Sequence, residues 1–215
     1  MERLLYRFRT YNADGLTDRE LLELLLRFTR ADAKAFSAQL LERYPSIFRL
    51  MEADRESLAT VEGMDEQTIL LLSILPEMSR RYFLSRDIKG QPLLNSVHYG
   101  KYLLPYFMGA RDEMVYALFL DGAANAISCR LMGYGSVNSA NVPVRNIVLE
   151  ALALNATGIV LAHNHPSGLA IPSQEDVEIT RRLRTSLEIM DLQLLDHIII
   201  ADDDFVSVRE SGYLR

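Results

Sequence analysis

The stretch that decides the fold of this chain is HNHPSGLAIPSQED, which covers residues 163–176. It follows the apolar run TGIVLA at residues 157–162, whose short length and β-branched centre predict a buried strand. The prolines and the glycine that come next predict a tight turn and a loop. The predicted strand therefore ends at a pair of histidines.

Two histidines and an aspartate are placed to converge on one point. Successive side chains of a strand alternate between its faces, so His163 and His165 project to the same side and Asn164 points away. Ser173, three residues before Asp176, predicts a capping box that opens a helix over residues 174–190. The first turn of that helix then holds Asp176 close to the histidines.

This set of side chains suits a catalytic metal. Two neutral imidazoles and one carboxylate fill three positions of a tetrahedral zinc ion and leave the fourth position open, which distinguishes catalytic from structural zinc sites. The simpler interpretation is that the histidine pair is an accident of a polar strand end and that Ser173 is only a helix cap. The occurrence of all three groups around one strand, turn and helix favours zinc.

The spacing of these residues resembles a known family. His163-x-His165, followed by ten residues and Asp176, with Ser173 three positions before the aspartate, resembles the JAMM motif of the MPN-type zinc peptidases. The segment HNHPSG at residues 163–168, together with LDHIII at residues 195–200, is similar to the RadC family in particular. The resemblance extends over nearly the whole chain. It implies a zinc-dependent amide hydrolase that acts on a protein or peptide substrate.

The resemblance also assigns two catalytic residues. The family's general base lies just before a strand that follows a helix, and Glu113 stands at the matching position, with Glu150 as its rival on the helix before the histidine strand. Ser173 corresponds to a serine that donates a hydrogen bond to the developing oxyanion, although it could serve only as a helix cap. His197 has apolar neighbours, which favours a buried structural histidine over a fourth ligand. His98 has no motif around it.

The chain divides into two predicted domains. Residues 1–90 carry apolar positions at helical spacing and predict an all-helical domain, and residues 86–95, with a glycine and a proline, predict the linker. Residues 91–215 predict an MPN/JAMM-like mixed-sheet domain flanked by helices, so the fold class is α+β. Its predicted strands cover residues 114–120, 126–132, 157–162, 194–201 and 205–208. Its predicted helices begin at Ser96, Val144 and Gln174. Residues 134–142 are predicted to form a further strand or a loop.

The helical domain has its own signals. Thr17 and Glu20 predict a capping box, residues 46–51 predict a short turn, and Pro76 predicts a kink in a helix from about residue 66 to 83. The segment around Gly63 is placed like a helix-hairpin-helix, whose turn binds DNA phosphates. That turn has the pattern glycine, apolar residue, glycine, and here Asp65 occupies the position of the second glycine. A carboxylate at a helix start repels phosphate. A helical packing module is therefore favoured over DNA binding.

Composition excludes some classes of protein. The net charge is −6, with 14 Lys and Arg against 15 Asp and Glu in residues 1–90 and 9 against 14 in residues 91–215, which argues against a nonspecific nucleic-acid coat. No apolar run reaches membrane-spanning length and no signal peptide is evident, so no membrane partner is expected. The lone Cys129 has no partner for an internal disulfide, and a reducing, cytoplasmic location is expected.

Three functional hypotheses follow from the sequence. The first is a zinc-dependent peptidase or isopeptidase. The second is an accessory protein of DNA repair or recombination that binds DNA or a repair partner, as RadC relatives have commonly been labelled. The third is a metal-stabilised interaction module without turnover, as in those MPN relatives that serve as scaffolds. Such scaffolds usually lack the ligands, so the intact set here favours chemistry.

Overall fold

The computed structural model describes residues 2–85, 92–110, 112–135 and 142–213. The chain forms two compact units, Met1–Arg81 and Tyr82–Arg215. The change from one unit to the other falls inside the long last helix of the helical half, whereas the predicted boundary at residue 90 and most of the predicted linker lie outside the described residues. No helix within the described ranges is long and apolar enough to cross a membrane.

The first unit is helical, as predicted. Thr17 and Glu20 form the predicted capping box, since the Thr17 side chain accepts the Glu20 N–H and the Glu20 carboxylate accepts the Thr17 N–H. The prediction of a turn at residues 46–51 was wrong: Ser46 caps a short helix by accepting the Arg49 N–H. The α-helices are α1 (Glu2–Tyr11), α2 (Asp18–Leu26), α3 (Ala33–Arg43), α4 (Ile47–Met51), α5 (Arg55–Ala59) and α6 (Glu66–Ser85), with a 3-10 turn at Asn12–Gly15.

The turn between α5 and α6 has its polar groups engaged within the chain. The Asp65 carboxylate accepts the Thr68 N–H at 2.8 Å and so caps the start of α6. The carbonyl of Gly63 accepts a hydrogen bond from the guanidinium of Arg30 at 3.0 Å, and that guanidinium lies over the ring of Phe36. A carboxylate therefore stands at the helix start where a DNA-binding hairpin would present N–H groups to phosphate.

The second unit contains a five-stranded mixed sheet with helices on both faces, and the predicted α+β class is confirmed. The strand order is β2-β1-β3-β4-β5; β3 and β4 are parallel and the other neighbours are antiparallel. The elements are α7 (Ser96–Phe107), β1 (Met114–Leu120), β2 (Ala126–Tyr134), α8 (Val144–Ala153), β3 (Gly158–Asn164), α9 (Gln174–Glu188), β4 (Gln193–Ala201) and β5 (Asp204–Ser207).

Alternation along the strands divides the core between the two faces of the sheet. Ala117 and Phe119 of β1 and Ile159 and Leu161 of β3 pack with apolar residues of α8 and α9. The intervening residues of the same strands pack with residues of α7 on the other face. All seven residues of β3 are buried, because this central strand is covered on both sides.

Candidate metal centre

The two histidines leave the end of β3 on one face, as the alternation of strand side chains requires. Their Nε2 atoms are 2.9 Å apart. His163 is fully buried, whereas the side chain of His165 keeps 17% of its surface exposed, so the pair reaches solvent on the His165 side. β3 continues two residues past the predicted strand end at residue 162, and the His165 N–H prolongs the pairing by donating to the Ile200 carbonyl of β4 at 2.7 Å.

The third member of the group comes from the start of α9. Ser173 and Asp176 form a capping box in which the Ser173 Oγ accepts the Asp176 N–H and the Asp176 carboxylate accepts the Ser173 N–H. The same carboxylate faces the histidines, with Oδ1 at 3.0 Å from Nε2 of His163 and Oδ2 at 3.4 Å from Nε2 of His165. One aspartate thus fixes its helix and completes a three-residue group.

The geometry of this group fits a tetrahedral metal ion. One ligand atom from each of His163, His165 and Asp176 lies within 4.8 Å of the other two. Two nitrogens on one tetrahedral zinc ion lie about 3.3 Å apart, because the Zn–N bond is 2.0–2.1 Å long. The separations between neighbouring ligand atoms, 2.9 to 3.4 Å, bracket that value, with a different carboxylate oxygen of Asp176 facing each histidine. The three residues proposed from the sequence therefore stand where one ion can contact all of them.

The carboxyl group of Asp176 is ionised in this group of side chains. Burial by itself raises the pKa of Asp176, but its hydrogen bonds with His163 and His165 outweigh burial and hold that pKa well below its usual range. The hydrogen bond with Asp176 in turn raises the pKa of His165, and the negative charge of Glu113 acts in the same direction. The carboxylate is therefore in the ionised form that a cation requires.

Sheet pairing determines the position of Glu113. The last pair between β1 and β3 is Val115 with His163, and Glu113 lies two residues before Val115 just as His165 lies two residues after His163. The negative charge of Glu113 acts on the pKa of His165, so the two side chains are near each other. Because side chains alternate along a strand, Glu113, two residues before Val115, points to the same face of the sheet as Val115. That face packs against α8 and α9 and also carries the histidines. The part-buried Glu113 thus stands beside the more accessible of the two imidazoles.

Glu150, the rival candidate, has a partner elsewhere. Its carboxylate lies on α8 and forms an ion pair with the guanidinium of Arg130 on β2, with 3.1 Å between Nη1 and Oε2. His98 lies at the start of α7, where its Nδ1 accepts the Leu94 N–H at 3.2 Å. Neither residue belongs to the group formed by His163, His165 and Asp176.

His197 is fully buried and contacts the outer side of the group. Its Nε2 lies 2.8 Å from Nδ1 of His163, so it touches a candidate ligand from behind instead of joining the candidate ligands. Its Nδ1 lies 2.6 Å from the hydroxyl of Thr180. Burial lowers the pKa of His197 well below its usual value, so this ring is neutral. The expectation of a satisfied structural histidine agrees with this arrangement.

Sequence reasoning missed two residues that support the group. Asn164 was expected only to point away from the histidines, yet its amide binds the backbone on both sides of Glu113. Thr180 was not singled out. A signal for Thr180 existed, because it lies one helical turn after Asp176 and therefore on the same face of α9. The signal for Asn164 is weaker, because its partners lie about fifty residues away in the chain.

Comparison with known proteins agrees with this architecture. Residues 93–213 match the family described as the RadC-like JAB domain. The chain belongs to the RadC family. A UPF0758 protein of Cellvibrio japonicus (strain Ueda107) is 36% identical over 205 residues, which cover 94% of this chain and 91% of that relative. The RadC domain contains all five site residues predicted from the sequence, and the similarity to the Cellvibrio protein extends into the helical unit.

Proposed function

We propose that this RadC protein is a zinc-dependent hydrolase of an amide bond in a peptide or an isopeptide. The observation that carries the proposal is the convergence of His163, His165 and Asp176 on one point, with solvent access on the His165 side. Three protein ligands leave a coordination position for water or substrate, which is the arrangement of catalytic zinc. When bound, zinc supplies a Lewis acid that acidifies water and polarises a carbonyl group.

The remaining steps belong to residues of the chain. Glu113, near His165, accepts the proton of the attacking water while the water oxygen forms its bond to the carbonyl carbon. The C–N bond then breaks, and Glu113 returns the proton to the departing amine. Ser173 uses an oxygen lone pair in its cap, which leaves the hydroxyl proton available to donate to the negatively charged carbonyl oxygen. No acyl-enzyme is formed, because water is the nucleophile.

The substrate is proposed to be a protein or a peptide, which supplies the peptide or isopeptide bond of the proposed reaction. The stretch 133–142, considered from the sequence as a wall for an extended chain, lies mostly outside the described residues. DNA is not proposed as a partner, since the capped turn at Asp65 and the acidic balance of the chain both disfavour phosphate.

The experiment that tests the proposal combines zinc analysis with a peptide-library cleavage screen. It compares the native protein with Glu113→Gln, which keeps the size of the side chain and removes the base. We expect stoichiometric zinc in both proteins and a loss of turnover by a factor of about 10²–10⁴ in the variant. Glu150→Gln is the matched control and should retain turnover.

Two results would reject parts of this proposal. A native protein that takes up no zinc and cleaves no library peptide would remove the hydrolase assignment. A fully active Glu113→Gln protein, together with an inactive Glu150→Gln protein, would move the role of general base to the helix α8.

A further inference from the structure

A buried chain of hydrogen bonds begins at the outer nitrogen of His163. Nδ1 of His163 lies 2.8 Å from Nε2 of His197, and Nδ1 of His197 lies 2.6 Å from the hydroxyl oxygen of Thr180. That hydroxyl also contacts the backbone carbonyl of Asp176, one turn earlier on α9. His163, His197 and Thr180 are each fully buried, so the chain runs through the interior.

The last member of this chain decides the direction of every hydrogen bond in it. A backbone carbonyl can only accept, so the proton of the Thr180 hydroxyl points to Asp176. The Thr180 oxygen must then accept from His197, which places the proton of His197 on Nδ1 and a lone pair on Nε2. That lone pair accepts from Nδ1–H of His163. In the neutral ring of His163 the lone pair is then left on Nε2, the atom that faces His165 and Asp176.

His165 reaches the same state by a shorter route. Its Nδ1 lies 3.0 Å from the carbonyl oxygen of Leu169 in the loop after β3, so Nδ1–H donates there and Nε2 carries the lone pair. In their neutral forms, the ones that can bind a metal, both imidazoles therefore present an unprotonated Nε2 to the same point. The carbonyl that orients His165 contacts it directly, whereas the carbonyl that orients His163 acts through two intervening side chains.

We propose that Thr180, acting through His197, is a positioning residue that holds His163 in the tautomer that binds the metal and thereby sets the affinity for zinc. The inference rests on the proposed zinc site. Without the hydroxyl, no other member of this series of hydrogen bonds compels His197 to carry its proton on Nδ1. His163 is then free to place its own proton on Nε2, where it forms a hydrogen bond with Asp176 and competes with the cation. Partners that orient a ligating histidine generally change metal affinity by about 10–100-fold.

The test is zinc affinity, measured in the full chain by competition with a chromogenic chelator. Thr180→Val keeps the shape of the side chain and removes the hydroxyl, and we expect its zinc affinity to fall by about 10–100-fold. Thr180→Ser keeps the hydroxyl and should bind zinc close to the native affinity. Thr68→Val is the matched control, because Thr68 is an equally buried threonine of the helical unit. Its zinc affinity should equal that of the native protein.

A second measurement separates positioning from mere folding. Nitrogen-15 NMR of the imidazole rings reports which nitrogen carries the proton, and His197 should carry its proton on Nδ1 in the native protein and in Thr180→Ser. Thermal unfolding of the metal-free variants shows whether each one folds. If Thr180→Val does not fold, Thr180→Ala takes its place with the same expected loss of zinc affinity.

The outcomes are distinct. Native zinc affinity in a folded Thr180→Val protein, or a His197 proton found on Nε2 in the native protein, would overturn the inference and leave the proposed hydrolase intact. A native protein that binds no zinc would overturn the proposed function and the inference with it. A loss of zinc affinity in Thr68→Val as large as in Thr180→Val would show a general loss of folding and reject the specific role of Thr180.

Discussion

The side-chain amide of Asn164 accepts the backbone N–H of Met114 at 2.7 Å and, through its other atom, donates to the carbonyl of Asp112 at 3.1 Å. One amide thus binds the peptide units on both sides of Glu113. Asn164 is itself the residue between the two histidines, so the segment that carries the candidate metal ligands also contacts the backbone around the proposed base. Asn164 therefore supports the position of the proposed base in addition to the pairing of β1 with β3.

Asn164→Ala should lower turnover without removing zinc. The variant removes the hydrogen-bond partner of a part-buried N–H and of a part-buried carbonyl, at a cost of about 0.5–1.5 kcal/mol for each bond. The segment before β1 then loses its anchor, and Glu113 no longer has a fixed position. The measurement is kcat for a peptide substrate, with zinc content and thermal unfolding alongside. Asn164→Asp retains the oxygen that accepts the Met114 N–H, so its kcat should lie between those of the native protein and Asn164→Ala. An Asn164→Ala protein with native kcat would show that Glu113 does not depend on this anchor.

Asp176→Asn should abolish stoichiometric zinc while the helix start survives. Asparagine keeps a side-chain oxygen that can accept the Ser173 N–H, so the capping box remains. The substitution removes the negative charge that would hold the proposed metal ion between His163 and His165. Elemental analysis of dialysed protein gives the zinc content, and circular dichroism gives the fold. His163→Ala should also lose zinc, and its retention in both variants would mean that the ligands are different residues.

Ser173→Gly separates capping from catalysis. Glycine at a helix N-cap costs only a few tenths of a kcal/mol, whereas alanine costs about 1 kcal/mol. Both substitutions remove the hydroxyl that is proposed to donate to the oxyanion, and removal of one such donor lowers kcat by about 10²–10³. We expect Ser173→Gly to keep near-native stability and zinc but to lose turnover by that factor. Native turnover in Ser173→Gly would show that Ser173 serves only as a helix cap.

The helical unit should not bind DNA. Asp65 already caps α6 and lies near Arg30, so the hairpin presents a carboxylate to an approaching phosphate. Fluorescence anisotropy of the full chain with labelled duplex DNA, at several salt concentrations, should show no salt-dependent binding. Binding that weakens with salt at a log–log slope of about −0.9 per phosphate contacted would contradict this and revive the DNA-repair hypothesis.

Local sequence signals predicted much of the fold and of the site. The capping boxes at Thr17 and Ser173, the strand before the histidines and the helix after them follow from interactions within a few residues. The short helix after Ser46 was missed because five residues are too few to show a helical period. The extent of β3 was underestimated because His163 and Asn164 are polar, and they are paired only through neighbouring strands.

The sequence by itself determined which side chains share a face: strand alternation puts His163 and His165 on one side, and the capping box puts Asp176 in the first turn of α9. Only the tertiary structure decided what surrounds them. The antiparallel pairing of β1 with β3 brings Glu113 near His165, and the packing of α9 against β4 brings Thr180 to His197 and so to the back of His163. The physical reason is that alternation and capping act over a few residues, whereas strand register and helix packing join groups far apart in the chain.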